Sequence, residues 1–115
     1  MKTENHHINR MYELLLSTLK MACPDLQIVS DDELKDNLEE LEGDYYTFFY
    51  PDNLIPMVEK GLLNDTQVQN IELLRNLISN INSKSWNIDS FKTEDVWSEV
   101  RTMSKNILKN INERT

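Results

Sequence analysis

Asn64-Asp65-Thr66-Gln67-Val68-Gln69-Asn70-Ile71-Glu72-Leu73-Leu74-Arg75-Asn76-Leu77-Ile78-Ser79-Asn80-Ile81 is the stretch that decides the fold class. Asparagine followed three residues later by glutamine has the spacing of a capping box, in which each side chain satisfies a backbone N–H that the first helical turn leaves open. Val68, Ile71, Leu74, Ile78 and Ile81 then recur at three- and four-residue steps, and Leu77 widens the stripe. That period belongs to one face of an amphipathic helix. Such a face must be buried against something, and the same signature recurs on both sides of it.

Downstream, a polar joint, Asn82-Ser83-Lys84-Ser85, leads to Trp86 and Ile88. Thr93-Glu94-Asp95 opens a final helix carrying Val96, Trp97, Val100, Ser104, Ile107, Leu108 and Ile111. Acids at its start and Lys105, Lys109 and Arg114 toward its end suit the helix dipole. Upstream, Asn53 is placed to cap a short helix with Pro56 in its tolerant first turn and Gly61 at its end. Ser30-Asp31-Asp32-Glu33 again has capping-box spacing, and Leu34, Leu38 and Leu41 follow until Gly43 supplies a stop. The first helix runs from about Asn5 to Met21 on Ile8, Met11, Tyr12, Leu15, Leu19 and Ala22. Cys23-Pro24 ends it, because proline disfavours the α conformation in the residue before it.

Asp44-Tyr45-Tyr46-Thr47-Phe48-Phe49-Tyr50-Pro51 shows no helical period at this level and is expected to be extended or a buried irregular connection. The chain is therefore expected to be all-α: one domain over residues 1–115, a compact bundle of about five helices with an irregular aromatic segment near residues 44–52. A length of 115 residues, two glycines and three prolines fit this and leave no room for a second domain. No stretch approaches the roughly 20 apolar residues of a membrane span. The first residues hold no apolar signal core, and Cys23 is the only cysteine, so a cytoplasmic location is expected.

The net charge of −8 is local. Between Asp31 and Asp52 nine acids (Asp31, Asp32, Glu33, Asp36, Glu39, Glu40, Glu42, Asp44 and Asp52) face one base, Lys35, while the rest of the chain carries eleven of each sign. A segment so unbalanced focuses a negative field, attracts basic partners and repels nucleic acid and anionic membranes, unless it is simply a solvated helix face. Directly after the densest acids, Tyr45, Tyr46, Phe48, Phe49 and Tyr50 supply five of the nine aromatic residues. Acids that steer and tyrosines that bury area are what tight protein interfaces use. Some of these rings must also fill the core, and we assign Phe48, Phe49, Trp86 and Trp97 mainly to it, leaving at least one of Tyr45, Tyr46 and Tyr50 exposed. The expected partner-binding residues are Asp31, Asp32, Asp36, Glu39, Glu40, Glu42, Asp44, Tyr45, Tyr46 and Tyr50.

No catalytic site, cofactor or metal is expected. His6 and His7 are adjacent and point about 100° apart on a helix, and Cys23 lacks a nucleophile signature and reads as core. The run Asp31 to Asp36 lacks the glycine and alternating ligands of a calcium loop. Gly43 and Gly61 stand alone, so there is no phosphate-binding loop. Acids that resemble a row of phosphates instead fit inhibition by substrate mimicry, with the chain posing as the nucleic acid that a basic protein grips.

The order of an acidic helix, the block Gly43 to Pro51, Leu54-Ile55-Pro56-Met57, a long helix, the Trp86 joint and Trp97-Ser98-Glu99-Val100-Arg101 running into Ile107-Leu108 resembles bacterial immunity proteins of contact-dependent growth inhibition. The acid-flanked tyrosine block is also similar to that of the helical colicin nuclease immunity proteins, although this chain is longer and its block is not the same. The resemblance implies an antidote that binds the C-terminal toxin domain delivered by a neighbouring cell. It implies a nuclease as that toxin, an RNase in the specific expectation, with its substrate cleft or an adjacent exosite covered. The other class of partner is a cellular protein, with the chain serving as an acidic helical adaptor or regulator.

Overall fold

The computed structural model describes residues 2–113. Among the described residues six α-helices form an all-α bundle: α1 Lys2–Met21, α2 Asp31–Phe48, α3 Pro51–Glu59, α4 Asp65–Ser79, α5 Ile88–Thr93 and α6 Asp95–Glu113. A 3-10 turn, Ser83–Ser85, precedes α5. Among the described residues no helix is long and apolar enough to cross a membrane. Arg114, expected to complement the dipole of the last helix, lies outside the described residues.

The apolar stripes meet as their period requires. Helix α6 packs chiefly on α4, α1 and α5, and α2 lies along α1. Leu15 and Leu19, Leu34 and Leu41, Ile71 and Leu74, and Trp97 and Val100 are completely buried. Both halves of the capping box at α4 form: Asn64 Oδ1 accepts from Gln67 N at 2.8 Å, and Asn64 N donates to Gln67 Oε1 at 2.9 Å. Gln67 Nε2 also donates to Asn110 Oδ1 at 2.8 Å, so the buried glutamine fastens the start of α4 to the end of α6. At α2, Ser30 Oγ accepts from Glu33 N at 3.1 Å.

Two boundaries differ from the sequence expectation. Helix α2 does not stop at Gly43 but runs on to Phe48, so most of the aromatic segment near residues 44–52 is helical and only Phe49 and Tyr50 separate α2 from α3. The physical reason is that Tyr45 and Phe48 extend the stripe of Leu34, Leu38 and Leu41 at the same spacing, and Tyr45 packs against the core; Phe48, expected mainly in the core, is only half-buried at the helix end. Gly43 sits on the exposed side without a positive φ, and so stops nothing. The second difference is at α3. Tyr50 is its N-cap residue and Pro51 opens it, which leaves Pro56 inside the helix and not in its first turn. Asn53, expected to cap α3, instead donates from Nδ2 to Thr47 O at 2.7 Å and satisfies the end of α2.

These assignments separate the two glycines. A Cβ at Gly43 would meet nothing within 4 Å, so Gly43→Ala should raise stability by about 0.5–1 kcal/mol through helix propensity. Gly61 follows α3 with φ +83°, a left-handed position where Gly61→Ala should cost about 1 kcal/mol or more. Chemical denaturation of both variants should show shifts of opposite sign. Another expected gain lies in the core. Ser104 is completely buried on α6, and its Oγ has no hydrogen-bond partner among the described residues. Ser104→Ala removes that desolvated hydroxyl and should stabilise by about 1 kcal/mol, read as a higher denaturation midpoint.

Candidate protein-binding face

Eight of the nine acids of the charged segment lie on α2, whose 18 residues span roughly 27 Å. At about 100° per residue, the helix sorts them. Asp31, Lys35, Glu39 and Glu42 fall along one side, Asp32, Asp36 and Glu40 point away from the bundle, and Asp44 lies on the opposite flank. Asp31, Asp32 and Glu33 stabilise the positive end of the helix dipole, whereas Glu42 and Asp44 lie near its negative end. No basic residue occupies the last turn of α2. Arg75 of α4 supplies the charge: its Nε donates to Tyr46 O at 3.2 Å, and its guanidinium lies 4.4 Å from the Tyr46 ring centre and 5.1 Å from that of Tyr50. Arg75→Met should therefore lower stability by about 1–2 kcal/mol, measured by thermal melting, through loss of a charge-assisted hydrogen bond at a helix C-terminus and of the two ring contacts.

Of the nine acids, Asp31 alone is in an ion pair among the described residues, with Lys92 Nζ of α5 at 2.7 Å. That link and the packing of α2 on α5 set the far wall of a groove of about 560 Å³. Leu38, Trp86 and Ile88 give it apolar lining, and Glu39, Glu42 and Asp89 are the acids that face it besides Asp31. Lys35 is its one base. Asp44 is half-buried, and burial alone pushes its carboxyl above the usual aspartate range. Its charged form is thus a small burden in the folded state, relieved as pH falls through the raised value.

The tyrosines divide. Tyr46 is 62% exposed and Tyr50 42% exposed, so two of the three remain on the surface. Tyr45 is half-buried, stacked on Trp86 with ring centres 6.1 Å apart, and acts as support for the groove. Phe49 is completely buried as expected. Trp86, expected in the core, is instead half-buried on the groove wall, because its contacts with Trp97, ring centres 4.9 Å apart, and with Tyr45 cover only part of the ring and the groove opens onto the rest. Asp89 and Lys92 were not singled out by the sequence, since α5 is only six residues long and shows no stripe of its own.

A second groove, of about 490 Å³, lies between α3 and α4. Ile55, Val58 and Val68 meet Glu59, Asp65 and Glu72 there, with no base among its lining residues. Cys23, expected in the core, is half-buried; its Sγ donates to Leu19 O at 3.1 Å, and burial pushes its thiol pKa up, with a smaller opposing effect from Lys105. That disfavours the thiolate and any nucleophilic use. Among the described residues no group of three or more His, Cys, Asp or Glu side chains is placed to hold a metal ion. No protein-family model, curated protein or solved structure matches this chain.

Proposed function

We propose that the protein is an immunity protein of the contact-dependent growth inhibition type, which binds a basic toxin domain and neutralises it by covering its substrate cleft or an adjacent exosite. The observation that carries this reading is the state of the α2 acids: all but Asp31 lack an ion pair among the described residues, and their helix ends in the exposed rings of Tyr46 and Tyr50. Exposed carboxylates without a counter-cation of the chain's own leave their field free to act on a basic partner.

The charge density suits a nuclease as the toxin. From Asp31 to Asp44 the eight acids and Lys35 leave about one net negative charge per 3 Å of helix rise, near the roughly 3.4 Å per phosphate along one nucleic-acid strand. A cleft lined with lysine and arginine to hold phosphates would meet a comparable field on α2. An RNase is the specific form we propose, and the inhibition needs only occupancy, without turnover by the antidote. Nucleic acid and anionic membranes are repelled by the same field. The site of action would be the cytoplasm, where such a toxin would be met.

Titrating the purified protein against the product of the adjacent toxin gene tests the proposal. Saturable 1:1 binding with loss of nuclease activity is the expected result, and absence of binding at moderate salt would sink it.

A further inference from the structure

The groove between α2 and α5 differs from the outward acids in having a shaped, partly apolar interior. Trp86 is held in place before any partner arrives, stacked on Tyr45 with 28° between the ring planes and perpendicular to the ring of Trp97 at 90°. A rigid indole costs little conformational entropy to use. Around it, Glu39, Glu42 and Asp89 have no ion pair among the described residues. Asp31 is already neutralised by Lys92.

Elsewhere the chain sets its own arginines on aromatic rings. Arg75 lies over Tyr46 and Tyr50, and Arg101 lies 5.1 Å from the centre of the Phe91 ring while its Nη1 donates to Phe91 O. Tryptophan is the best cation–π ring of the three types. Among the described residues, the three acids that border Trp86 are in no ion pair and no arginine lies over its ring.

We propose that this groove seats an arginine side chain of the basic partner protein, its guanidinium lying on the Trp86 indole and its charge held by Glu39, Glu42 and Asp89. Guanidinium suits the site better than ammonium because it is planar and more weakly hydrated, so it can lie on an apolar ring while its edges donate to carboxylates. Lys35, on the same side of α2, is displaced along the rim when the arginine enters. The assignment rests on the reading of the protein as a binder of a basic partner.

The test uses tetra-arginine amide as probe and tetra-lysine amide as its equal-charge control, with the Trp86 indole N–H resonance followed in the full chain. Tetra-arginine should move that resonance and bind about threefold tighter than tetra-lysine. The triple variant Glu39→Gln, Glu42→Gln, Asp89→Asn should bind it about tenfold more weakly. The triple variant Asp32→Asn, Asp36→Asn, Glu40→Gln removes as much charge from the outward side and should change affinity less than about twofold. All three proteins are checked by circular dichroism, and the substitutions keep side-chain size at exposed positions, so folding is preserved. An unmoved Trp86 resonance, equal binding of the two peptides, or equal loss from the two triple variants would overturn the seat. Against the toxin domain the two readings separate. Capture by the native chain with dissociation unchanged in the groove variant overturns the seat and leaves the antidote standing. A peptide that seats on Trp86 while no toxin domain binds supports the seat and ends the antidote reading.

Discussion

Reversing Asp32, Asp36, Glu39 and Glu40 to lysine slows association with the basic partner by about 100-fold at low salt, within the range of rate enhancement that steering fields supply. Four reversals change the charge by eight units, taking the net −8 of the chain to zero. All four side chains are exposed, and none is in an ion pair among the described residues, so the change acts on the field and not on the packing. The cost to the helix is confined to Asp32 in the first turn, at about 0.3–1 kcal/mol of dipole interaction. Ser30, Asp31 and Glu33 still define the start of α2. Stopped-flow association at several ionic strengths is the measurement, with a thermal melt as control. The native rate should fall steeply as salt shortens the Debye length toward about 8–10 Å, whereas the variant's rate should vary little or rise. An unchanged rate and salt slope would make this side of α2 an ordinary solvated surface.

Trp97→Ala should cost about 3–5 kcal/mol, the usual loss for truncating a buried large aromatic residue. That is a major part of the roughly 5–15 kcal/mol expected for a whole domain. The ring is 0% exposed, 5.0 Å from the centre of Phe91 and 4.9 Å from that of Trp86, and its Nε1 donates to Ser85 O at 2.8 Å. It therefore ties α6 to both α5 and the 3-10 turn. Trp97→Phe retains part of the ring volume but leaves the Ser85 carbonyl without its donor, and should cost less, about 1–3 kcal/mol. Urea denaturation of the two variants would rank them, and a loss below about 1 kcal/mol for alanine would show that the aromatic cluster is not what holds residues 83–93 in place. Since Trp97 lies under Trp86, its truncation should also loosen the wall of the groove.

How much of this could be read from the chain depends on the range of the interaction concerned. The caps at Ser30 and Asn64 and the stripe on α4 were legible because each involves residues three or four apart. The continuation of α2 past Gly43 was present in the spacing of Leu41, Tyr45 and Phe48, but the glycine and the density of aromatic residues outweighed it. Gly43 does not adopt a left-handed turn, and the packing of Tyr45 beyond it favours continuing. Helix α5 was not legible: six residues anchored by Phe91 carry too little period to register.

The candidate face divides in the same way. Sequence by itself determined an all-helical chain, the local origin of the −8, and a run of tyrosines next to it, since composition and i to i+4 spacing carry that information. Tertiary structure alone decided which acids share a groove, that Asp31 is neutralised by Lys92 61 residues away, that Tyr45 supports Trp86, and that Arg75 lies between Tyr46 and Tyr50. Those pairings depend on how α2 packs on α4 and α5, and charges or rings brought together by packing leave no mark in the spacing of the residues that carry them.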